Sequence, residues 1–185
     1  MRMEYLDIRT PDGKVTGEIK ERTLVHTDGD IHGTSHVWLI RRKQKGKFDI
    51  LLQKRAATKD SYAGCYDISS AGHIPAGQDY LESALRELWE ELGIKAEPEQ
   101  LHFIGMHDGM METEFYGKPF RDHEISAVYI YEDEVKDSDF VLQTEEVDSV
   151  AWMDFDDCRQ QLWNGTIRNC IFYDEFKMLE QAIRG

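Results

Sequence analysis

Residues 72–94 read GHIPAGQDYLESALRELWEELGI, and the second half of that stretch is a helix with both ends marked. Asp79 is an N-cap residue with Glu82 three positions on, an aspartate-initiated capping box, and Gly93 stands where a C′ glycine ends a helix. The sequence therefore predicts a helix over residues 80–92. At 3.6 residues per turn Leu81, Ala84, Leu85, Leu88 and Leu92 share one face, and that face turns to a core. Glu87, Glu90 and Glu91 fall at i, i+3 and i+4 on the neighbouring arc. Like charges at that spacing repel by roughly 0.2–0.5 kcal/mol per pair, and acids in the last turns oppose the helix macrodipole. A divalent cation reverses the sign of the argument, because Mg²⁺ prefers carboxylate and water oxygens and bridges them to phosphate. Taken alone, three acids on one helix are more often a solvated edge than a metal site.

The loop before the helix changes that weighting. Gly72 and Gly77 bracket His73-Ile74-Pro75-Ala76, a turn that lets the backbone approach a bound group just before the helix opens. With this loop included, the stretch resembles the Nudix box, G-x5-E-x7-R-E-U-x-E-E-x-G-U, where U is aliphatic. Gly72, Arg86, Glu87, Leu88, Glu90, Glu91, Gly93 and Ile94 fall in register, eight of the nine specified positions. The departure is Gln78 in place of the first glutamate, which keeps a carbonyl acceptor for Arg86 but loses the charge. The resemblance implies a hydrolase dependent on Mg²⁺ or Mn²⁺, with Glu87, Glu90 and Glu91 as metal ligands and Arg86 positioning the acidic side chains. It also implies an α/β (α+β) fold, an α/β/α sandwich in which the box helix packs on a mixed sheet.

Composition fits one domain over residues 1–185 with a core at about 34–160, since 185 residues at 41% hydrophobic and 11% aromatic content suffice for a packed interior. No apolar run approaches a membrane span, and the start MRMEYLDIRT carries no hydrophobic signal segment, so the expected location is cytoplasmic. Cys65, Cys158 and Cys170 match neither a disulfide framework nor a zinc pattern and read as reduced and structural. The net charge of −14 argues against nucleic acid and anionic membranes as partners. A small diphosphate-containing substrate is compatible if positive charge is local, and eight of the 22 basic residues lie between Arg41 and Lys59 against one acid, Asp49. Most of these belong to a solvated hairpin tip; Lys54 and Arg55, at the end of the second strand, are the candidates for phosphate contact. A homodimer is left open.

Short β-branched and aromatic runs predict strands at 36–42, 48–55, 66–73, 101–108, 124–132 and 148–155, with helices at 156–163 and 171–183. The flanks of the box resemble the isopentenyl-diphosphate isomerase-like branch of Nudix proteins over roughly residues 1–160. In that isomerase a catalytic cysteine precedes the Gly-His of the box, where this chain has Ala71, and metal-binding histidines fall near His26, His32 and His73. Its paired acids after the box correspond to Asp122 and Glu124, so the resemblance offers His73, His32 and Asp122 as additional metal or substrate contacts. Glu124, Glu90 or Glu91 is then the candidate base. Any single histidine taken alone is more often an ordinary turn or strand residue, His32, His36, His102, His107 and His123 included, and His73 is set apart by standing beside the box glycine.

Overall fold

The computed structural model describes residues 3–185. An antiparallel hairpin of β1 (Tyr5–Arg9) and β2 (Val15–Glu21) leads into the short helix α1 (Arg22–Asp28). Then follow β3 (Ile31–Arg42), β4 (Phe48–Arg55), β5 (Tyr66–Asp67), β6 (Ser70–His73), α2 (Tyr80–Leu92), β7 (His102–Phe115), β8 (Lys118–Tyr131), β9 (Val147–Asp154), α3 (Phe155–Trp163) and α4 (Tyr173–Arg184). Strand β3 is the hub. It runs parallel to β8 from Ile31 to Leu39, and its residues are buried almost throughout because both faces of the sheet are covered. The main sheet is mixed, in the order β5-β4-β3-β8-β7, with β6 added to β3 and β9 to β4.

Period-two alternation along β3 divides the core into two layers. Val37 and Leu39 pack with Leu51, Ala127 and Tyr129 against Ala84, Leu88 and Leu92 of α2. Trp38 and Ile40 face the other way, with Ile50, Leu52, Val128 and Ile130, against Phe155 and Leu162 of α3 and Phe176 and Leu179 of α4. This is the expected sandwich with a mixed sheet between helical layers. Full burial of Leu88 and Leu92 contributes about 1.5–3 kcal/mol each. Helix α2 starts as its sequence requires: Asp79 accepts from the Glu82 amide at 2.8 Å. It ends at Gly93, whose φ of 76° is the left-handed region that glycine enters without strain.

The sheet splits where β3 and β4 part, and this split positions the site. Those strands pair only over Ile40–Arg42, after which β3 takes β6 as its neighbour over Thr34–Val37. The expected strand at 66–73 is accordingly two short ones separated by Ile68 and Ser69. Ser69 spans the fork: its hydroxyl accepts from the Leu39 amide at 2.8 Å and donates to the Leu51 carbonyl at 2.7 Å. The β7–β8 hairpin is also longer than its apolar segments indicate, because its distal half is solvent-facing and carries no core signal. The N-terminal hairpin docks on the box loop, where Asp7 accepts from the Gly77 amide at 2.8 Å.

Candidate active site

A cleft of about 260 Å³ opens at the fork of the sheet. Helix α2 brings Glu87, Glu90 and Glu91 to its wall. The backbone of β6 lies directly against α2 because Gly72 has no side chain; a Cβ there would fall 2.5 Å from Glu87 Cγ. Arg86 lies between two of the acids, 2.8 Å from Glu87 and 2.9 Å from Glu90, and also donates to the His73 carbonyl at 3.3 Å. Glu91 turns inward, accepting from the Ala71 amide at 3.2 Å and from Gln53 at 3.3 Å. Burial pushes the Glu87 carboxyl up to about 7 against the pull of Arg86, and burial together with Glu87 pushes Glu91 up to about 8. These are carboxylates short of positive charge. A hard divalent cation fits that deficit and that oxygen donor set.

A second cluster lies on the β3–β8 side of the cleft. His26 from α1, His32 from β3 and His73 from β6 bring ring nitrogens within 4.8 Å of one another, and His32 shares the same proximity with Asp122 and Glu124 of β8. The Nε2 atoms of His26 and His73 face each other at 3.3 Å. His32 Nε2 and Asp122 Oδ1 face each other at 3.4 Å, both buried and neither hydrogen-bonded. Burial lowers His32 to about 4 and His73 well below its ordinary value, so these imidazoles are neutral, the form that ligates metals. Orphaned buried donors of mixed nitrogen and oxygen type fit a borderline divalent ion. Glu124 is pushed up to about 8 by burial and by Asp122 beside it on the strand face. Among the described residues these two groups, and not the box glutamates, form the tight clusters of ligand-type atoms.

The sequence profile of the NUDIX domain matches residues 32–174 of this chain. The chain belongs to the Nudix family. It is 36% identical over 164 residues to an uncharacterised Nudix hydrolase of Clostridium acetobutylicum, covering 89% of this chain and 76% of that protein. It is 38% identical over 164 residues to Nudix hydrolase 3 of Arabidopsis thaliana, covering 88% of this chain but only 21% of that longer protein. An isopentenyl-diphosphate Delta-isomerase of Halorhodospira halophila is 30% identical over 121 residues, covering 61% of this chain and 65% of the relative, which bears out the isomerase-like branch. A crystal structure from Deinococcus radiodurans superposes with a TM-score of 0.68 at 15% identity over 96% of this chain and 98% of its own, a likeness of fold. The protein is thus an enzyme of the Nudix hydrolase class.

The two phosphate candidates separate in the fold. Gln53 and Arg55 share the inward face of β4, whereas Lys54 points away, 3.3 Å from Asp148 and outside the cleft lining. Arg55 does line the cleft, but its guanidinium is committed: it donates to Asp67 at 2.9 Å and to the Ser61 carbonyl at 3.2 Å, pinning the 56–65 loop. The cleft cations that sequence reasoning missed are Arg22 of α1 and Lys59 of that loop, each resting on one acid, Glu4 and Glu146. Gln78 does not meet Arg86; Gln78 Oε1 and Arg86 Nε are each buried without a partner. Also unforeseen is the environment of His36, which donates from Nδ1 to Glu175 of α4 at 2.9 Å. Burial would lower His36, but Glu175 holds it up at about 9. Alternation with His32 on β3 marks His36 as cleft-facing, while its α4 partner leaves no trace in the sequence. Among the described residues no helix is long and apolar enough to cross a membrane.

Proposed function

We propose that this Nudix enzyme hydrolyses a diphosphate linkage in a small anionic metabolite and depends on Mg²⁺ or Mn²⁺. The observation that carries the reading is the carboxylate wall of Glu87, Glu90 and Glu91 with Arg86 threaded through it, facing a cleft that holds cations inside a chain of net charge −14. Glu87, Glu90 and Glu91 would hold the metal, with His26, His32, His73 and Asp122 as a second ligand set. When bound, the metal would neutralise phosphate charge and make water a stronger nucleophile. Arg22 and Lys59 attract and orient the diphosphate, and Arg86 keeps Glu87 and Glu90 apart and aimed. Glu124, with its raised affinity for a proton, accepts the proton of the attacking water as that oxygen bonds to phosphorus. The bridging oxygen leaves with the electron pair of the broken P–O bond, and the charge is absorbed by the cations around it.

One observation favours a second reading. The five-residue cluster of His26, His32, His73, Asp122 and Glu124 matches the ligand set that the isomerase resemblance implies. Against it stands Ala71, whose methyl group neither gives nor takes a proton where the isomerase has a thiol. Incubation with a panel of ADP-ribose, a nucleoside triphosphate and isopentenyl diphosphate, with and without Mg²⁺ or Mn²⁺, separates the two. Metal-dependent phosphate products support the hydrolase; dimethylallyl diphosphate at a comparable rate, without hydrolysis, overturns it.

A further inference from the structure

We propose that His36 and Glu175 form a positioning pair that sets the orientation of the Glu124 carboxylate from behind the cleft. The inference rests on the reading of Glu124 as the proton acceptor. Glu175 is delivered by the first turn of α4 and is 1% exposed, yet neither of its oxygens meets a lysine or arginine. One accepts from His36 Nδ1 at 2.9 Å and the other from Trp38 Nε1 at 2.9 Å. A carboxylate at that depth is an expensive way to anchor a helix, because its desolvation must be made good by these bonds. Helix α4 has no need of it as an anchor: Phe176, Leu179 and Ile183 already bury its apolar face against the sheet.

The use of the pair follows from the ring. With Nδ1–H donated to Glu175, the plane of His36 is fixed and the protonated ring turns its Nε2–H to the cleft. There it lies 3.7 Å from Glu124 Oε2, a gap that a small rotation of either side chain closes into a hydrogen bond. Glu124 needs such a hold, since Asp122 on the same strand face repels it and His32 pairs with it in register on β3. Carboxylates behind metal-ligating histidines orient those rings in this way, and their removal costs about 10–100-fold; a loss of that size is expected here.

Turnover on the panel compound hydrolysed fastest tests the pair with His36→Leu, Glu175→Gln, their double variant and Leu179→Ala. Each of the first two should lose about 10–100-fold in kcat with KM within about threefold, and the double variant should lose no more than either alone. Leu179→Ala loosens α4 without touching the pair and should lower Tm while keeping kcat near wild type. Side-chain nitrogen NMR of ¹⁵N-histidine-labelled, metal-free protein adds a readout independent of turnover: Glu175→Gln should move the His36 Nδ1 resonance and Glu124→Gln the Nε2 resonance. An unmoved Nε2 resonance overturns the proposal, as does a kcat loss in Leu179→Ala equal to that in His36→Leu. Wild-type turnover in Glu124→Gln removes the base assignment and this proposal with it. An inactive Glu124→Gln beside fully active His36→Leu and Glu175→Gln removes the positioning pair alone.

Discussion

Replacing Gly72 by alanine should cost about a hundredfold in turnover while leaving the fold in place. The backbone at Gly72 lies outside the left-handed region, so alanine meets no conformational penalty there. What it meets is Glu87. The added Cβ would stand 2.5 Å from Glu87 Cγ and closer still to the carboxylate, whereas carbons in contact sit about 3.5–4.0 Å apart. The shortfall is about 1–2 Å, and it is taken up by rotation of the flexible glutamate rather than by backbone movement, which keeps the change in stability within about 1 kcal/mol. A reacting constellation displaced by about 1 Å loses on the order of 10² in rate, or about 2.7 kcal/mol of barrier. The assay is initial-rate phosphate release at saturating metal, with kcat and KM separated, beside thermal unfolding of the metal-free protein. Glu87→Ala supplies the cross-check: adding Gly72→Ala to it should lower kcat no further, because the displaced group is already gone. Wild-type kcat in Gly72→Ala would refute the reasoning, and so would a further loss in the double variant.

Glu91→Gln should depress turnover by about two orders of magnitude or more while the metal-free Tm holds or rises, since the amide keeps an acceptor for the Ala71 amide and cannot ionise in its buried site; calorimetry and rates check both. Glu87 and Glu91 bind protons more tightly folded, at about 7 and about 8, than their ordinary value of 4.5. The folded state therefore holds extra protons between those values, and the stability they contribute is fully present below the ordinary value and lost as pH rises through 7 to 8. Metal competes with those protons, so the gain in Tm from Mg²⁺ should be larger at about pH 8.5 than at about pH 6, and an equal gain at both would remove these carboxylates from the metal site. Gln78→Glu should preserve activity, since Gln78 does not meet Arg86; a large loss in kcat would assign the glutamine a role in substrate contact. Lys54→Ala should leave KM unchanged whereas Lys59→Ala should raise it, since only Lys59 lines the cleft, and the reverse order would misplace the phosphate site.

The box helix was legible because everything that makes it is local. Asp79 and Gly93 cap it within a few residues of its ends, its leucines repeat at the helical period, and the acids sit on one arc by the same geometry. Strands β4, β8 and β9 were legible in their apolar halves for the parallel reason. Outside the core the sequence falls silent: the distal β7–β8 hairpin and the N-terminal hairpin are held by partners rather than by composition, and the fork at Ser69 rests on a hydroxyl bridging two strands that a sequence cannot bring together.

The sequence by itself therefore determined the helix that carries Glu87, Glu90, Glu91 and Arg86, since its caps and spacing lie in one continuous segment, and the resemblance carried by that segment implied the fold class and family that the structure and the NUDIX profile bear out. Only the tertiary structure decided which of the scattered groups share a cleft. His26, His32, His73, Asp122 and Glu124 come from four different elements and form two triads sharing His32, each within 4.8 Å, because β3 pairs in parallel with β8 and antiparallel with β6. Lys54 points away from the cleft and Lys59 lines it through the alternation of one strand and the path of one loop. Glu175 reached His36 across 139 positions of sequence, a distance over which no local propensity acts and only packing of α4 on the sheet brings the two together.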